Sequence, residues 1–206
     1  MMLLVLAALL LLFCTLDVWY FLRGAQVFVT TFFQPKVKDI LAEGSVHGIV
    51  LPHDVDYKGH MNNSRYLREC DFARFHHNMC NGIFMALFRM GAKMVVGAST
   101  IRYRRSLAFG EAFEIRTKVV GWDDKAFYLE QRFVSKKDGF VSAVLLCKQS
   151  VVRSSPESII DFVCKRKIEC PPLPDDLKHW ISFISANSQA LRAESGLEEK
   201  NKGRAA

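Results

Sequence analysis

The sequence carries six cysteines but no Cys-x-x-Cys pair, and no histidine cluster completes a metal-ligating spacing. That excludes the common zinc frameworks and leaves nothing that calls for a metal or a cofactor. Cys14, Cys70, Cys80, Cys147, Cys164 and Cys170 read instead as thiols of a reducing compartment. Internal repeats are absent. The densest basic clusters are Arg102 with Arg104 and Arg105, and Lys165-Arg166-Lys167. Neither comes with a helix-turn-helix, zinc-finger or single-strand-binding pattern. The net charge of +7 is spread along the chain, so these clusters read as solvated faces and nucleic acid is not an expected partner. No basic residue precedes the N-terminal apolar run, and no clear small-x-small site stands before its aromatic residues. Both absences weigh against a cleaved secretory signal.

What is there begins with that run. Leu3 to Thr15 is almost wholly apolar, Asp17 interrupts it, and Val18 to Leu22 resumes it. The count to Leu22 comes to about the twenty residues a bilayer span requires. Trp19 and Tyr20 suit the interface, and Arg23, Lys36 and Lys38 follow, so the downstream domain is expected in the cytosol. Residues 1–24 therefore read as a retained anchor, in the endoplasmic reticulum membrane. A cleaved signal on a secreted protein is the alternative. Residues 25–44 read as a connecting segment, with an apolar, β-rich stretch over 26–33 and a short helix over 36–43 ended by Gly44.

Residues 45–152 read as one α+β domain. A strand over 46–51 leads to a helix over about 64–81, with Ser64 at its cap and Asn81-Gly82 at its stop. Tyr66, Leu67, Cys70, Ala73 and His77 form its expected buried stripe. A second short helical turn covers 83–90. Strands follow over 94–105, 112–122, 126–135 and 140–152, and Lys137-Asp138-Gly139 is a hairpin turn between the last two. Consecutive strands with short turns argue an antiparallel sheet, and one long helix must cover it. Pro156 opens a helix over about 157–166, a proline-rich linker spans 170–174, and 175–197 reads as helix or extended arm within a C-terminal extension over 153–197. The tail, 198–206, is charged and expected to be disordered.

The chemistry concentrates in His53-Asp54-Val55-Asp56-Tyr57-Lys58-Gly59-His60-Met61-Asn62-Asn63. Two carboxylates, an imidazole and two amides lie between a strand and a helix N-terminus. Such a terminus favours a developing anion. A carboxylate beside an anion-stabilising amide is the minimum equipment for hydrolysing an activated acyl group.

The order strand, Asp-x-Asp-x-x-Gly-His-x-Asn-Asn, helix, four-strand meander resembles the hotdog-fold acyl-CoA thioesterases. The branch is that of 4-hydroxybenzoyl-CoA thioesterase. The residues that carry it are Asp54, Asp56, Gly59, His60, Asn62, Asn63 and Tyr66, with Tyr103 to Glu111 as a second matching stretch. The resemblance implies a hotdog fold: an antiparallel sheet of about five strands wrapped around one central helix, here with an N-terminal apolar anchor and a C-terminal helical arm. It implies a homodimer with the acyl thioester, acyl-CoA or a relative, lying between subunits. Asp56 matches the catalytic aspartate, as nucleophile or as base for a water. The backbone amides of Asn63, Ser64 and Arg65 would hold the oxyanion. Asp54, Gly59, His60, Asn62 and Asn63 would support the loop.

Tyr66 is a candidate substrate contact. Arg102, Arg104 and Arg105 alternate in direction on a strand and are candidates for coenzyme A phosphates. Glu69 and Asp71 are the runner-up carboxylates, because other hotdog enzymes place theirs on the helix; a pair of Arg65 with Glu69, at i and i+4, is their competing explanation. Two other functions stay open: a non-catalytic acyl-CoA or lipid-binding module, and a hydratase using His60, which lacks a second well-placed acid.

Overall fold

The computed structural model describes residues 1–37 and 39–195. Lys38, the expected basic residue of the leader's flank, and the expected disordered tail at 198–206 lie outside the described residues.

Five strands form one antiparallel sheet in the order β1-β3-β4-β5-β2, with β1 at Gly44–Ile49, β2 at Lys93–Tyr103, β3 at Ala112–Trp122, β4 at Ala126–Ser135 and β5 at Val141–Val152. This is the hotdog arrangement. The two tight turns form where their chemistry demands. Asp123 caps the first, accepting from the amides of Lys125 and Ala126 at 2.8 Å each. Gly139 supplies φ +73° in the second, a conformation that other residues avoid.

The central helix, α3, spans Asn63–Cys80. It buries Tyr66, Cys70, Ala73 and His77 against the sheet, as their spacing predicts, but Leu67 is 40% exposed. Residue 67 lies about 100° around the helix from Tyr66, so both cannot face one sheet. Phe133 of β4 meets the Tyr66 ring at 4.8 Å and the Phe113 ring at 5.6 Å, forming the aromatic centre of the core. A short α4, Ile83–Arg89, follows on.

The N-terminal region differs from its sequence reading. It is two helices, α1 at Met2–Thr15 and α2 at Val18–Phe32, bent by 83° at the break. Among the described residues no single helix is long and apolar enough to cross a membrane, and the bent pair passes that test only together. Asp17 sits at the break and caps α2, accepting from the Tyr20 amide at 3.1 Å. The stretch read as β-rich, 26–33, is mostly helical. Its β-branched residues are accommodated because Val27 and Thr31, one turn apart, are buried beside α3. The hydroxyls of Thr30 and Thr31 also bond back to carbonyls of the preceding turn. Packing overrides propensity here. No helix forms in the described part of 36–43, where Ile40 is fully buried in a turn.

At the other end, α5 spans Pro156–Cys164 and α6 spans Asp175–Glu194. The linker between them crosses β3 closely: a side chain at Gly121 would overlap the Leu173 side chain. Leu177 is buried, with Trp180, Ile181 and Ile184 half-buried or partly exposed at helical spacing.

Candidate active site

The loop between β1 and α3 holds the two aspartates in different surroundings. Pro52–Asp54 makes a single 3-10 turn. Asp54 is 4% exposed. One of its carboxylate oxygens accepts from Arg68 Nη2 at 2.5 Å, and the other accepts from the Leu51 amide at 3.0 Å. His53 Nε2 stands 3.4 Å from Asp54 Oδ1. Both oxygens of Asp54 are thus committed, one to Arg68 of α3 and the other to the backbone of its own loop.

Asp56 begins a second, tighter turn. Its amide donates to His60 O and its carbonyl accepts from the Gly59 amide, each at 3.0 Å. Gly59 adopts φ +80°, which is why glycine stands there. Asp56 Oδ1 accepts from the Lys58 amide at 2.9 Å and lies 3.7 Å from His60 Nδ1. Among the described residues Asp56 Oδ2 has no protein donor, and the side chain keeps 18% of its exposure.

The turn is pinned from outside. The Met61 amide donates to Leu107 O at 2.8 Å and the Asn62 amide to Asp54 O at 2.8 Å. Asn62 then caps α3: its side-chain oxygen accepts from the Ser64 amide at 2.9 Å and from the Ser64 hydroxyl at 2.6 Å. The Arg65 amide donates to Asn62 O at 2.9 Å. Of the three amides considered for an oxyanion, those of Ser64 and Arg65 are therefore already engaged. The Asn63 amide has no acceptor among the described residues, while its carbonyl accepts from Tyr103 Oη at 2.9 Å.

The remaining candidates divide in the same way. Tyr66 is 1% exposed; its hydroxyl accepts from the Leu107 amide at 3.1 Å, and burial pushes its pKa up. It braces the segment at Leu107, whose carbonyl in turn pins the Met61 amide. Arg105 forms a two-pronged ion pair with Asp138 at 2.7 and 2.8 Å and lies over the Phe140 ring. Arg104 donates to Val141 O at 3.2 Å and also meets Phe140. Arg102 is exposed with no partner among the described residues.

On the helix, Asp71 pairs with Arg74. Glu69 is 7% exposed, and burial raises its pKa against the pull of Arg23 and Arg68. The expected Arg65–Glu69 pair does not form. Glu69 pairs with Arg68 at 3.4 Å and with Arg23 of α2 at 3.7 Å, because α2 delivers a guanidinium to that point.

A cavity of about 410 Å³ lies between α2, β1 and α3, beside Asp54, Glu69 and Arg68. Trp19 stacks on His53 at its wall, with ring centres 5.0 Å apart. Asp56 is not among its lining residues. Sequence reasoning missed Arg68 and Arg23 as partners of the acids. No spacing rule links Arg68 to Asp54 across a loop, or Arg23 to Glu69 across two helices.

Residues 50–181 match the model of the thioesterase-like superfamily. The chain belongs to that superfamily. Protein THEM6 of Danio rerio is 65% identical over 193 residues, covering 94% of this chain and 96% of that protein. Protein THEM6 of Xenopus laevis is 56% identical over 190 residues, 92% of each chain. Among solved structures, the protein SAV2348 of Staphylococcus aureus, determined in complex with CoA, aligns with a TM-score of 0.53. That match covers 69% of this chain and 96% of the other at 17% identity, so it speaks for the fold alone. The thioesterase-like assignment thus covers the loop with its two aspartates, α3 and the strands β2 to β5.

Proposed function

We propose that the chain is a membrane-tethered acyl-CoA thioesterase in which Asp56 is the reactive carboxylate. One observation carries this reading. Of the two aspartates in the loop, only Asp56 keeps an oxygen without a protein donor, and the first amide of α3, at Asn63, is likewise uncommitted.

In the reaction, Asp56 takes a proton from water, and the oxygen of that water bonds to the thioester carbon. The carbonyl oxygen becomes anionic and is held by the Asn63 amide and the positive end of α3. Collapse breaks the carbon–sulfur bond. The coenzyme A thiolate leaves and is protonated, and the acid product departs. Direct attack by Asp56, giving an anhydride that water then cleaves, balances equally well. One well-placed oxyanion donor is worth about 10²- to 10³-fold in rate. Arg102 is the arginine left over for the phosphates of coenzyme A.

The second wall of the acyl site comes from another copy of the chain. β2 is an edge strand of eleven residues, with Val95 and Val96 about half exposed. An edge of that length is a template for pairing, and a symmetric pair would put a neighbouring surface over the loop. α1, apolar and wholly exposed, serves as the anchor that holds the domain at a membrane, on the side where acyl-CoA is carried.

A second reading, acyl-CoA binding without turnover, is favoured by one fact: Asp56 is not in the lining of the cavity beside its loop. Thiol release from a panel of short-, medium- and long-chain acyl-CoAs by the full-length chain in detergent separates the two. Release above the uncatalysed rate for at least one chain length supports hydrolysis. Binding without release across the whole panel selects the second reading.

A further inference from the structure

The outer face of α2 is the reverse of what a helix on a domain in water presents. At about 100° per residue, Phe21, Leu22, Ala25, Phe28, Val29 and Phe32 fall within one arc of about 120°. All six are exposed, with Phe21 at 63% and Phe32 at 68%. Every side chain of α2 that can hydrogen-bond lies off that arc. Arg23 pairs with Glu69 of α3 at 3.7 Å and donates to Gln26 Oε1 at 2.9 Å and to His47 O at 3.4 Å. Thr30 bonds back to Gln26 O at 2.9 Å, and Thr31 is buried. The polar side of α2 is engaged with the protein, and the side left to the surroundings is hydrocarbon. An ordinary surface helix does the opposite.

What covers the arc follows from what precedes it. α1 has fourteen residues, none of them buried. It is apolar all round except at Thr15, whose hydroxyl bonds back to Leu11 O at 2.7 Å. A helix of that kind belongs in a protein core or in a bilayer, and α1 has no core around it. Only Leu16 and Asp17 separate it from α2, so the medium that covers α1 reaches the arc. Trp19 and Tyr20, of the types that settle among lipid headgroups, stand just past the break. The bend of 83° leaves α2 in the plane of a bilayer that α1 enters along its normal. A second copy of the chain is the poorer occupant, because it leaves α1 uncovered.

We infer that α2 lies in the plane of the bilayer, with this arc sunk among the acyl chains just below the headgroups. Arg23 ties α2 to Glu69, so the domain sits flush on the lipid surface instead of hanging from a linker. The inference rests on the membrane tether proposed above and adds a second contact to it. It does not depend on Asp56 or on any hydrolysis.

The test uses the full chain in phosphatidylcholine nanodiscs. A fluorescent amino acid replaces Phe21, Phe28 or Phe32, one at a time, and Phe183 of α6, 67% exposed, is the control position. Nitroxide groups are placed on the lipid acyl chain either near the headgroup or near the chain end. The shallow nitroxide should quench all three α2 positions at least about twofold more than the deep one, as for a helix about 5–10 Å into the headgroup boundary. Phe183 should stay unquenched. Three results would overturn the inference. Quenching in α2 no stronger than at Phe183, from a chain that still co-elutes with the discs, would leave α1 as the tether and α2 out of the lipid. Quenching that passes from the shallow to the deep nitroxide between Phe21 and Phe32 would make α2 cross the leaflet. A chain that does not co-elute with the discs would remove the tether and this contact together.

Discussion

Asp54 and Asp56 are two residues apart in one loop, yet they have opposite surroundings. Asp54 is sealed between the Leu51 amide and Arg68, with no oxygen to spare. Asp56 gives one oxygen to the backbone of its own turn and keeps the other. The difference teaches that a carboxylate's role follows from how many of its lone pairs the fold has already claimed. Residue type and spacing do not decide it. A structural acid is one whose removal strands a partner; a reactive acid is one whose removal strands nothing.

The largest stability effect should separate them. Asp54→Ala takes from buried Arg68 its shortest ion pair, leaving it only Glu69 at 3.4 Å, and should cost about 3 kcal/mol by denaturant unfolding. Asp56→Ala should cost far less, since its main bond is to a turn amide. Equal losses would erase the distinction.

A pH titration sharpens the same comparison from the far end of α3. Burial holds the His77 pKa down at about 4, against 6.5 for a free imidazole. Between those values the unfolded chain binds the proton and the folded chain does not, so stability rises with pH through that window and is lost as pH falls. The loss should approach about 3 kcal/mol by pH 4, and His77→Gln should remove most of it. Measuring this first separates acid unfolding from a loss of thiol release in the folded chain.

Asn62→Ala removes the cap that holds Ser64 and should cost about 1 kcal/mol, measured as a shift in the unfolding midpoint. The smallest effect concerns the arginines. Arg102→Ala should raise KM for acyl-CoA with kcat little changed, the sign of lost uniform binding. Arg105→Ala, which breaks an exposed pair with Asp138 and a contact with the Phe140 ring, should leave KM where it was. The reverse order would reassign the phosphate contact.

Much of this fold was legible in the chain. The meander from residue 112 to 152 declared itself through alternating apolar residues and the turns at Asp123 and Asp138-Gly139, and α3 through its stop; its cap is Asn62 and not the expected Ser64, whose amide and hydroxyl both donate to the Asn62 side chain. These are local signals. α2 was not legible, because Val27, Val29, Thr30 and Thr31 favour a strand until α3 supplies a surface that buries only one helical face. The candidate site was legible as a cluster but not as a division of labour. The partners that separate Asp54 from Asp56 and occupy Glu69 are Arg68 of α3, onto which the loop folds Asp54, and Arg23, which α2 brings in from elsewhere.

The most direct test is the Asp56→Asn chain, full length, assayed side by side for acyl-CoA binding and for thiol release. If Asp56 is the reactive group, binding should persist while release falls by about 10²- to 10⁴-fold, the range for losing a positioned base. Release at the parental rate, with the carboxylate gone, would contradict the account.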